Sequence, residues 1–195
     1  MSLIKKYLTV FFLVILSSPS INLASANINE RDLKLDLRLK SIKLKYSFAY
    51  PVNRKKCGMV NAFADGSQIT ICDEMLGLED LTDEMLLLVL LHEEGHNFHR
   101  HTAKIANLVK VLNEFKPNQR SSRIMSELVT ALRQQHEFEA DEYSYNKSYK
   151  LRLSEESCEA LSKFSEPSDV QEDDSESTHP SSWKRIHRCK DVLGG

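Results

Sequence analysis

The stretch 85–96 constrains the fold more than any other part of the chain, because it joins an apolar run to two histidines. Its first seven residues are all apolar, which predicts a helix that is buried on every side. Thr82 or the residue after it is a suitable N-cap, and the helix is expected to continue toward His101. His92 and His96 lie four residues apart, so on a helix they share one face and can converge on one metal ion.

The two histidines belong to an H-E-x-x-H motif at residues 92–96. Glu93, beside the first histidine, is placed to act as a general base on a water at the metal, which is the arrangement of zinc peptidases. The motif is short, and a chain with 7 histidines and many glutamates could contain it by accident. A catalytic zinc site also needs a third protein ligand, with one coordination position left for water.

Candidates for the third ligand lie in a later helix, predicted over residues 121–149. They are the acidic residues Glu137, Glu139 and Asp141. Glu137 and Asp141 are four apart and share a face, whereas Glu139 points elsewhere. One of the pair could bind the metal while the other accepts the N–H of a ligand histidine, and the small Ala140 would let two helices pack closely. A solvated acidic helix face is the simpler interpretation of this cluster taken alone, but not after an H-E-x-x-H motif.

The first 26 residues predict a secretory signal peptide. Two lysines precede an apolar run at 8–16, and Ala-Ser-Ala at 24–26 fits a cleavage site. The run is much shorter than the ~20 residues that a permanent membrane span requires, although an uncleaved anchor is the alternative. Cleavage would leave residues 27–195 as a single periplasmic or secreted domain without an integral membrane anchor.

The exported part is mildly acidic and contains all four cysteines. Loss of the signal peptide removes two lysines and no acidic residue, which changes the formal net charge from −2 to −4. Nothing in this charge favours a nucleic-acid partner. Four cysteines in an oxidising compartment suggest two disulfides, and of the three possible connectivities we favour Cys57–Cys72 and Cys158–Cys189, since each pair brackets one local unit. A cysteine-based zinc site is a weak rival because no C-x-x-C spacing is present.

The remaining patterns predict an α+β domain, mostly helical, with a small antiparallel sheet or hairpin near its N-terminus. Leucines at 33–39 alternate with charged residues, which indicates a strand that continues to Phe48 after a phase shift. Because leucine and lysine favour helices, the first half of this stretch could instead be helical. Residues 59–63 and 68–72 flank an Asp-Gly step and predict a hairpin. The acidic, serine-rich stretch 165–177 is expected to be a flexible loop.

Four blocks, taken in order, resemble the zinc metallopeptidases related to the heat-shock protease HtpX and the CAAX prenyl protease, a gluzincin family. The blocks are Asn-Ala-Phe-Ala at 61–64, H-E-x-x-H at 92–96, Glu-Phe-Glu-Ala-Asp at 137–141, and Thr-His-Pro at 178–180 followed by Arg185-Ile186. Together they span most of the mature domain. Many relatives carry several membrane-spanning helices, whereas this chain has no segment after residue 26 that could span a bilayer, so it resembles a soluble, exported branch.

The resemblance implies a zincin-type metallopeptidase domain with one zinc ion per chain. In that scheme Glu137 is the third ligand beside His92 and His96, and Asp141 is the partner of a ligand histidine.

Two further residues complete the implied site, since His179 and Arg185 would stabilise the oxyanion of the reaction. Without the order of the blocks, His179 would be a loop histidine and Arg185 a surface or ion-pair arginine. Three other histidines have no role in this scheme and are expected to be structural or exposed. They are His99, His101 and His136.

The expected function is therefore that of a zinc-dependent metalloendopeptidase acting on protein or peptide substrates. Exported or misfolded envelope proteins are the expected targets, by analogy with the family. A catalytically silent zinc-binding or chaperone-like envelope protein is the alternative. A third interpretation is a structural protein whose histidines only pack in a core.

Overall fold

The computed structural model describes residues 29–114, 119–164 and 181–194. In chain order the elements are α1 (Glu30–Lys45), β1 (Val52–Lys55), β2 (Ala62–Ala64), β3 (Ile69–Cys72), α2 (Asp73–Leu76), α3 (Asp83–Phe98), α4 (His101–Glu114), α5 (Gln119–Leu151), a 3-10 helix (Glu155–Phe164) and α6 (Ser182–Leu193). This mostly helical arrangement with one small sheet confirms the predicted α+β class. The elements that carry the site all belong to one compact unit, which begins at Leu33.

The leucine-rich stretch at the start forms helix α1, so the predicted strand there is wrong. The helical alternative is correct for the first half of the stretch and extends through Lys45. The buried side chains are Leu35, Leu39 and Ile42, spaced four and three residues apart as on one face of a helix. Leu33 is exposed on another face, which a strand with all its leucines on one side would not allow.

The sheet has the order β1-β3-β2 and is mixed. Strands β2 and β3 pair antiparallel, which confirms the predicted hairpin, whereas β1 pairs parallel to β3 and was not predicted. The turn is built as the Asp-Gly step suggests: Gly66 has a φ of 96°, and the Asp65 carboxylate accepts the backbone N–H of Ser67 at 2.8 Å and of Gln68 at 2.9 Å.

Helix α3 lies at the centre of the core. Its predicted N-cap is confirmed, since the Thr82 hydroxyl accepts the N–H of Met85 at 3.2 Å. All side chains from 86 to 91 are at most 1% exposed, as the apolar run predicts. The helix ends at Phe98, earlier than expected, because Arg100 adopts a left-handed φ of 58° and the chain turns there into α4.

Both predicted disulfides are present in the structure. Cys57–Cys72 joins the segment before β2 to the end of β3, and Cys158–Cys189 joins the 3-10 helix to α6. The second one lies in a small buried cluster with Leu88 of α3. In the described part of the chain, no helix is both long and apolar enough to cross a membrane.

Candidate metal centre

Three of the predicted site residues meet where α3 packs against α5. The Nε2 atoms of His92 and His96 are 3.0 Å apart. Each also lies 3.4 Å from a carboxylate oxygen of Glu137, His92 from Oε2 and His96 from Oε1. The other acidic candidate, Glu139, points away from this group, as the helical spacing predicts, and contacts His101 instead.

The donor set fits a tetrahedral metal ion. Histidine nitrogens and carboxylate oxygens bind zinc at about 2.0–2.2 Å, and two such ligands of one tetrahedral ion are then roughly 3.3 Å apart. In the structure the two Nε2 atoms are 3.0 Å apart, and each lies 3.4 Å from a different oxygen of the Glu137 carboxylate. His92, His96 and Glu137 could therefore hold one metal ion with little rearrangement, and their chemistry is that of a catalytic zinc site.

Close packing of the two helices depends on small residues at the crossing. A Cβ atom at Gly95 would lie 2.9 Å from the Cα atom of Ala140 and 3.0 Å from its carbonyl oxygen. Ala140 itself is fully buried, so the predicted close approach at this residue is confirmed. Gly95 was not singled out from the sequence, although it occupies a variable position of the motif.

Behind the histidines lies a buried ion pair. Asp141 is fully buried, and its Oδ1 atom lies 2.9 Å from Nδ1 of His92. The Arg185 guanidinium donates to both Asp141 oxygens, from Nε and Nη2, at 2.8 Å each. Burial alone would raise the pKa of Asp141, but the charge of Arg185 and the bond with His92 outweigh it and hold this pKa well below its usual range. Asp141 is thus an anion that can fix the ring of His92.

Without a metal, the pKa values of the two histidines are shifted in opposite directions. Burial lowers the pKa of His96 to about 3, and the nearby His92 contributes to this shift. Burial also acts to lower the pKa of His92, but its hydrogen bonds with Asp141 and Glu137 outweigh burial and raise it to about 10. His96 is therefore available as a neutral ligand, whereas His92 would release a proton on metal binding.

The three candidate ligands open onto a cleft of about 310 Å³. Glu93 and Arg185 also line it, so the structure brings the predicted base and the predicted arginine to the same cavity. Residues 61–64, which include strand β2, line it as well. The cleft therefore combines a candidate metal site, a carboxylate and a strand at the edge of the sheet.

The residue after the predicted base has a different environment. Glu94 is fully buried, and its carboxylate accepts the hydroxyl of Tyr46 at 2.9 Å and that of Tyr143 at 3.1 Å. Its other oxygen accepts the backbone N–H of Ala49 at 2.5 Å. Burial and the bond to Glu94 raise the pKa of Tyr46 to about 12. Glu94 thus ties α3 to α5 and to the connection between α1 and β1.

Two predicted features lie outside the described residues, namely His179 and the acidic stretch 165–177. Sequence reasoning also missed a residue at the site. His101, expected to be structural or exposed, is 3% exposed, and its Nδ1 atom lies 2.9 Å from Nδ1 of His96. No signal in the sequence pointed to this contact, because α3 was expected to continue toward His101 and residues five apart along one helix do not share a face.

A mostly helical α+β domain in which an H-E-x-x-H helix, α3, packs against a helix that supplies a carboxylate, α5, is typical of one class of proteins, the metal-dependent peptidases. The family model of Peptidase family M48 matches residues 37–192, and the chain belongs to this family. The resemblance to metallopeptidases related to HtpX is confirmed by this match, and the protein is accordingly a peptidase, acting on protein or peptide substrates. No curated protein and no solved structure matches the chain.

Proposed function

We propose that this protein is a zinc-dependent metalloendopeptidase whose zinc ion is held by His92, His96 and Glu137. The observation that carries the proposal is the convergence of two imidazole Nε2 atoms and one carboxylate to within 3.0–3.4 Å. These side chains come from two different helices, and they lie in a cleft that also contains Glu93. Two histidines and a glutamate, with room for water, form a known catalytic zinc set.

Zinc bound there supplies Lewis acidity, which polarises a substrate carbonyl and makes a water molecule more acidic. Glu93 acts as the general base. It accepts a proton from the water molecule while the oxygen of that water adds to the carbonyl carbon of the substrate. The same carboxyl then gives this proton to the amine nitrogen as the C–N bond breaks, which yields a carboxylate and a free amine. Glu93 is only 8% exposed yet lines the cleft beside His92 and His96, which supports its assignment as the base.

Arg185 has two roles in the proposal. Through Nε and Nη2 it holds Asp141, and Asp141 fixes the ring of His92 so that Nε2 points to the metal. Because Arg185 also lines the cleft, we assign its positive charge to the oxyanion that forms when water adds to the substrate. We assign His179 to the same oxyanion from the resemblance alone.

Strand β2 supports a peptide as the substrate. The Asn61 carbonyl accepts the Cys72 N–H at 2.9 Å, and the Asp65 N–H donates to Gln68, so alternate residues of this strand bond to β3. The backbone groups of Ala62 and Ala64, between them, face away from β3. There the Ala62 N–H donates to Asn61 Oδ1 at 2.9 Å and the Ala64 carbonyl accepts the Thr102 hydroxyl at 3.4 Å, two bonds that a substrate strand would replace. An extended substrate segment can pair with this edge and lie across the candidate metal site.

The proposed location is supported by the covalent structure, and the proposed targets are supported by the family resemblance alone. Two disulfides indicate a protein that folds outside the reducing cytoplasm. We propose a periplasmic or secreted enzyme, exported by residues 1–26, that cleaves misfolded or damaged envelope proteins.

A test compares wild type, Glu93→Gln and the matched control Glu142→Gln, a change of an exposed glutamate on α5. All three proteins are expected to contain one zinc ion by metal analysis. Loss of the general base should lower the rate of casein cleavage by about 10²–10⁴-fold in Glu93→Gln only. Cleavage by Glu93→Gln at the wild-type rate would refute the assigned mechanism.

The same experiment separates the alternatives. Zinc in wild type without cleavage of casein or of an unfolded envelope protein would favour a silent zinc-binding or chaperone-like protein. Wild type that binds no metal would favour a structural protein, since histidines that only pack in a core need none.

A further inference from the structure

We infer that His101 and Glu139 are positioning residues for His96, acting through a chain of hydrogen bonds that starts at the metal and ends on a carboxylate. The inference rests on the proposed function, because it takes His96 as a zinc ligand through Nε2. It assigns a role to two side chains that the sequence blocks leave without one. The role is to fix the ring of His96 and to set which of its nitrogens carries the proton.

Both hydrogen bonds that link His96 to Glu139 through His101 are present in the structure. Nδ1 of His96 lies 2.9 Å from Nδ1 of His101, and Nε2 of His101 lies 3.0 Å from Oε2 of Glu139. His101 reaches this position because Arg100, in a left-handed conformation, reverses the chain directly after α3. Such a conformation costs a residue other than glycine about 1 kcal/mol or more, so the turn has to be held by contacts on either side of it.

The protons along this chain can be arranged in only one way once His96 binds a metal. A neutral imidazole that binds through Nε2 carries its proton on Nδ1, so His96 must donate to His101. Nδ1 of His101 is then an acceptor, and its own proton is on Nε2, from which it donates to Glu139. Both hydrogen bonds between His96 and Glu139 then join one donor to one acceptor.

Neighbouring side chains hold the two positioning residues in place. The ring of His101 stacks on that of His136, with centroids 4.0 Å apart and an angle of 8° between the planes. Glu139 accepts the side-chain amide of Gln135 at 3.1 Å through Oε1, and Lys104 lies 3.7 Å from Oε2. The acceptor of His101 is therefore an oriented anion.

The two proposed ligand histidines are thus supported differently. His92 contacts the carboxylate of Asp141 directly, whereas His96 reaches Glu139 only through a second imidazole. In both cases the partner fixes the ring and makes the ligand nitrogen more basic. Partners of this kind typically contribute 10–100-fold to metal affinity.

The same side chains could instead form a second metal site, since His99, His101 and Glu139 offer ligand atoms within 4.8 Å of one another. His101 cannot bind a second metal and position His96 at the same time. A metal on Nε2 of His101 would displace the proton that goes to Glu139 and move it to Nδ1, where it would face the proton of His96. The geometry favours the hydrogen-bonded chain, and a second metal becomes an outcome of the test.

The test measures zinc dissociation constants by competition with a chelator for the full-length wild-type protein and three variants. His101→Phe keeps the ring and its stacking but has no acceptor, and we expect its dissociation constant to rise about 10–100-fold. His101→Asn places an oxygen near the position of Nδ1 and should regain most of the lost affinity. His99→Phe is the matched control, because His99 stacks near His101 without touching the proposed ligands, and it should bind zinc like wild type.

A second measurement does not depend on any variant folding correctly. Nitrogen-15 NMR of the imidazoles in the zinc-loaded wild type should show the proton of His96 on Nδ1 and that of His101 on Nε2. A proton on Nδ1 of His101, or wild-type zinc affinity in a folded His101→Phe, would overturn the inference but leave the proposed function standing. Two zinc ions in wild type and one in His99→Phe would replace it with a second metal site. A wild type without zinc would overturn both proposals.

Discussion

Replacing Gly95 by alanine should damage the protein at the crossing of α3 and α5. The added Cβ would lie 2.9 Å from Cα of Ala140, 3.0 Å from its carbonyl oxygen and 3.1 Å from Cβ of Tyr143. Ordinary contacts of this kind begin at 3.4 Å, so the helices would have to separate by a few tenths of an ångström. The opposing atoms at Ala140 belong to the backbone of a helix and cannot move aside as a flexible side chain would.

Two opposing contributions set the change in the free energy of unfolding. Overpacking in a rigid core costs about 1–3 kcal/mol, while alanine in place of glycine in a helix returns about 1 kcal/mol. Because backbone meets backbone here, the upper part of the first range applies, and the net loss in free energy of unfolding should be about 1–2 kcal/mol. Each kcal/mol lowers the melting temperature of a protein of this size by about 2–4 °C.

Thermal unfolding followed by circular dichroism measures this loss. Chelator competition measures a second expected effect, weaker zinc binding, because His92 and His96 lie on one of the separated helices and Glu137 on the other. The variant Ala106→Gly, at an exposed position of α4, is the matched control and reports the helix-propensity term alone. A Gly95→Ala protein that is more stable than wild type by about the amount lost in the control would refute the packing argument.

Three further predictions follow from the site and its covalent frame. Arg185→Met should leave Asp141 buried without a counter-charge and cost about 3–5 kcal/mol in urea unfolding, and a loss below 1 kcal/mol would show that the pair is not essential. Replacing Cys158 and Cys189 by alanine opens a loop with a sequence separation of 31 and should cost roughly 3–4 kcal/mol, and reductant should cost wild type more than this because it also opens Cys57–Cys72. Removing zinc with a chelator should lower the melting temperature, and readdition should restore it, because a ligand that binds only the folded state stabilises it.

The first helix shows why one part of the fold was misassigned. Leucines at 33, 35, 37 and 39 are two residues apart, which is the spacing of one strand face. Alternate members of the series are four residues apart, which is also the spacing of one helix face. The step of three from Leu39 to Ile42 decides between them, because it continues a helix face and breaks a strand face. The apparent phase shift was therefore the sign of a helix.

The candidate site residues were easier to identify because each pair of them is defined by a spacing within a single helix. His92 and His96, four apart, and Glu137 and Asp141, four apart, each define one face without knowledge of the tertiary fold. His101 was missed because its contact with His96 depends on the left-handed turn at Arg100. That conformation is unusual for an arginine, and no residue near it signals the reversal.

Glu93 and Glu94 are adjacent in the chain but have different surroundings, since Glu93 lines the cleft and Glu94 is fully buried. Successive residues of an α-helix point about 100° apart, so with His92, Glu93 and His96 lining the cleft, Glu94 is directed to the opposite side of the helix. The three hydrogen bonds that Glu94 accepts, from Tyr46, Ala49 and Tyr143, therefore oppose any rotation of α3 about its own axis. A rotation large enough to turn His92 out of the cleft would break all of them at once. The direction in which the motif faces is thus set by a glutamate that does not line the cleft.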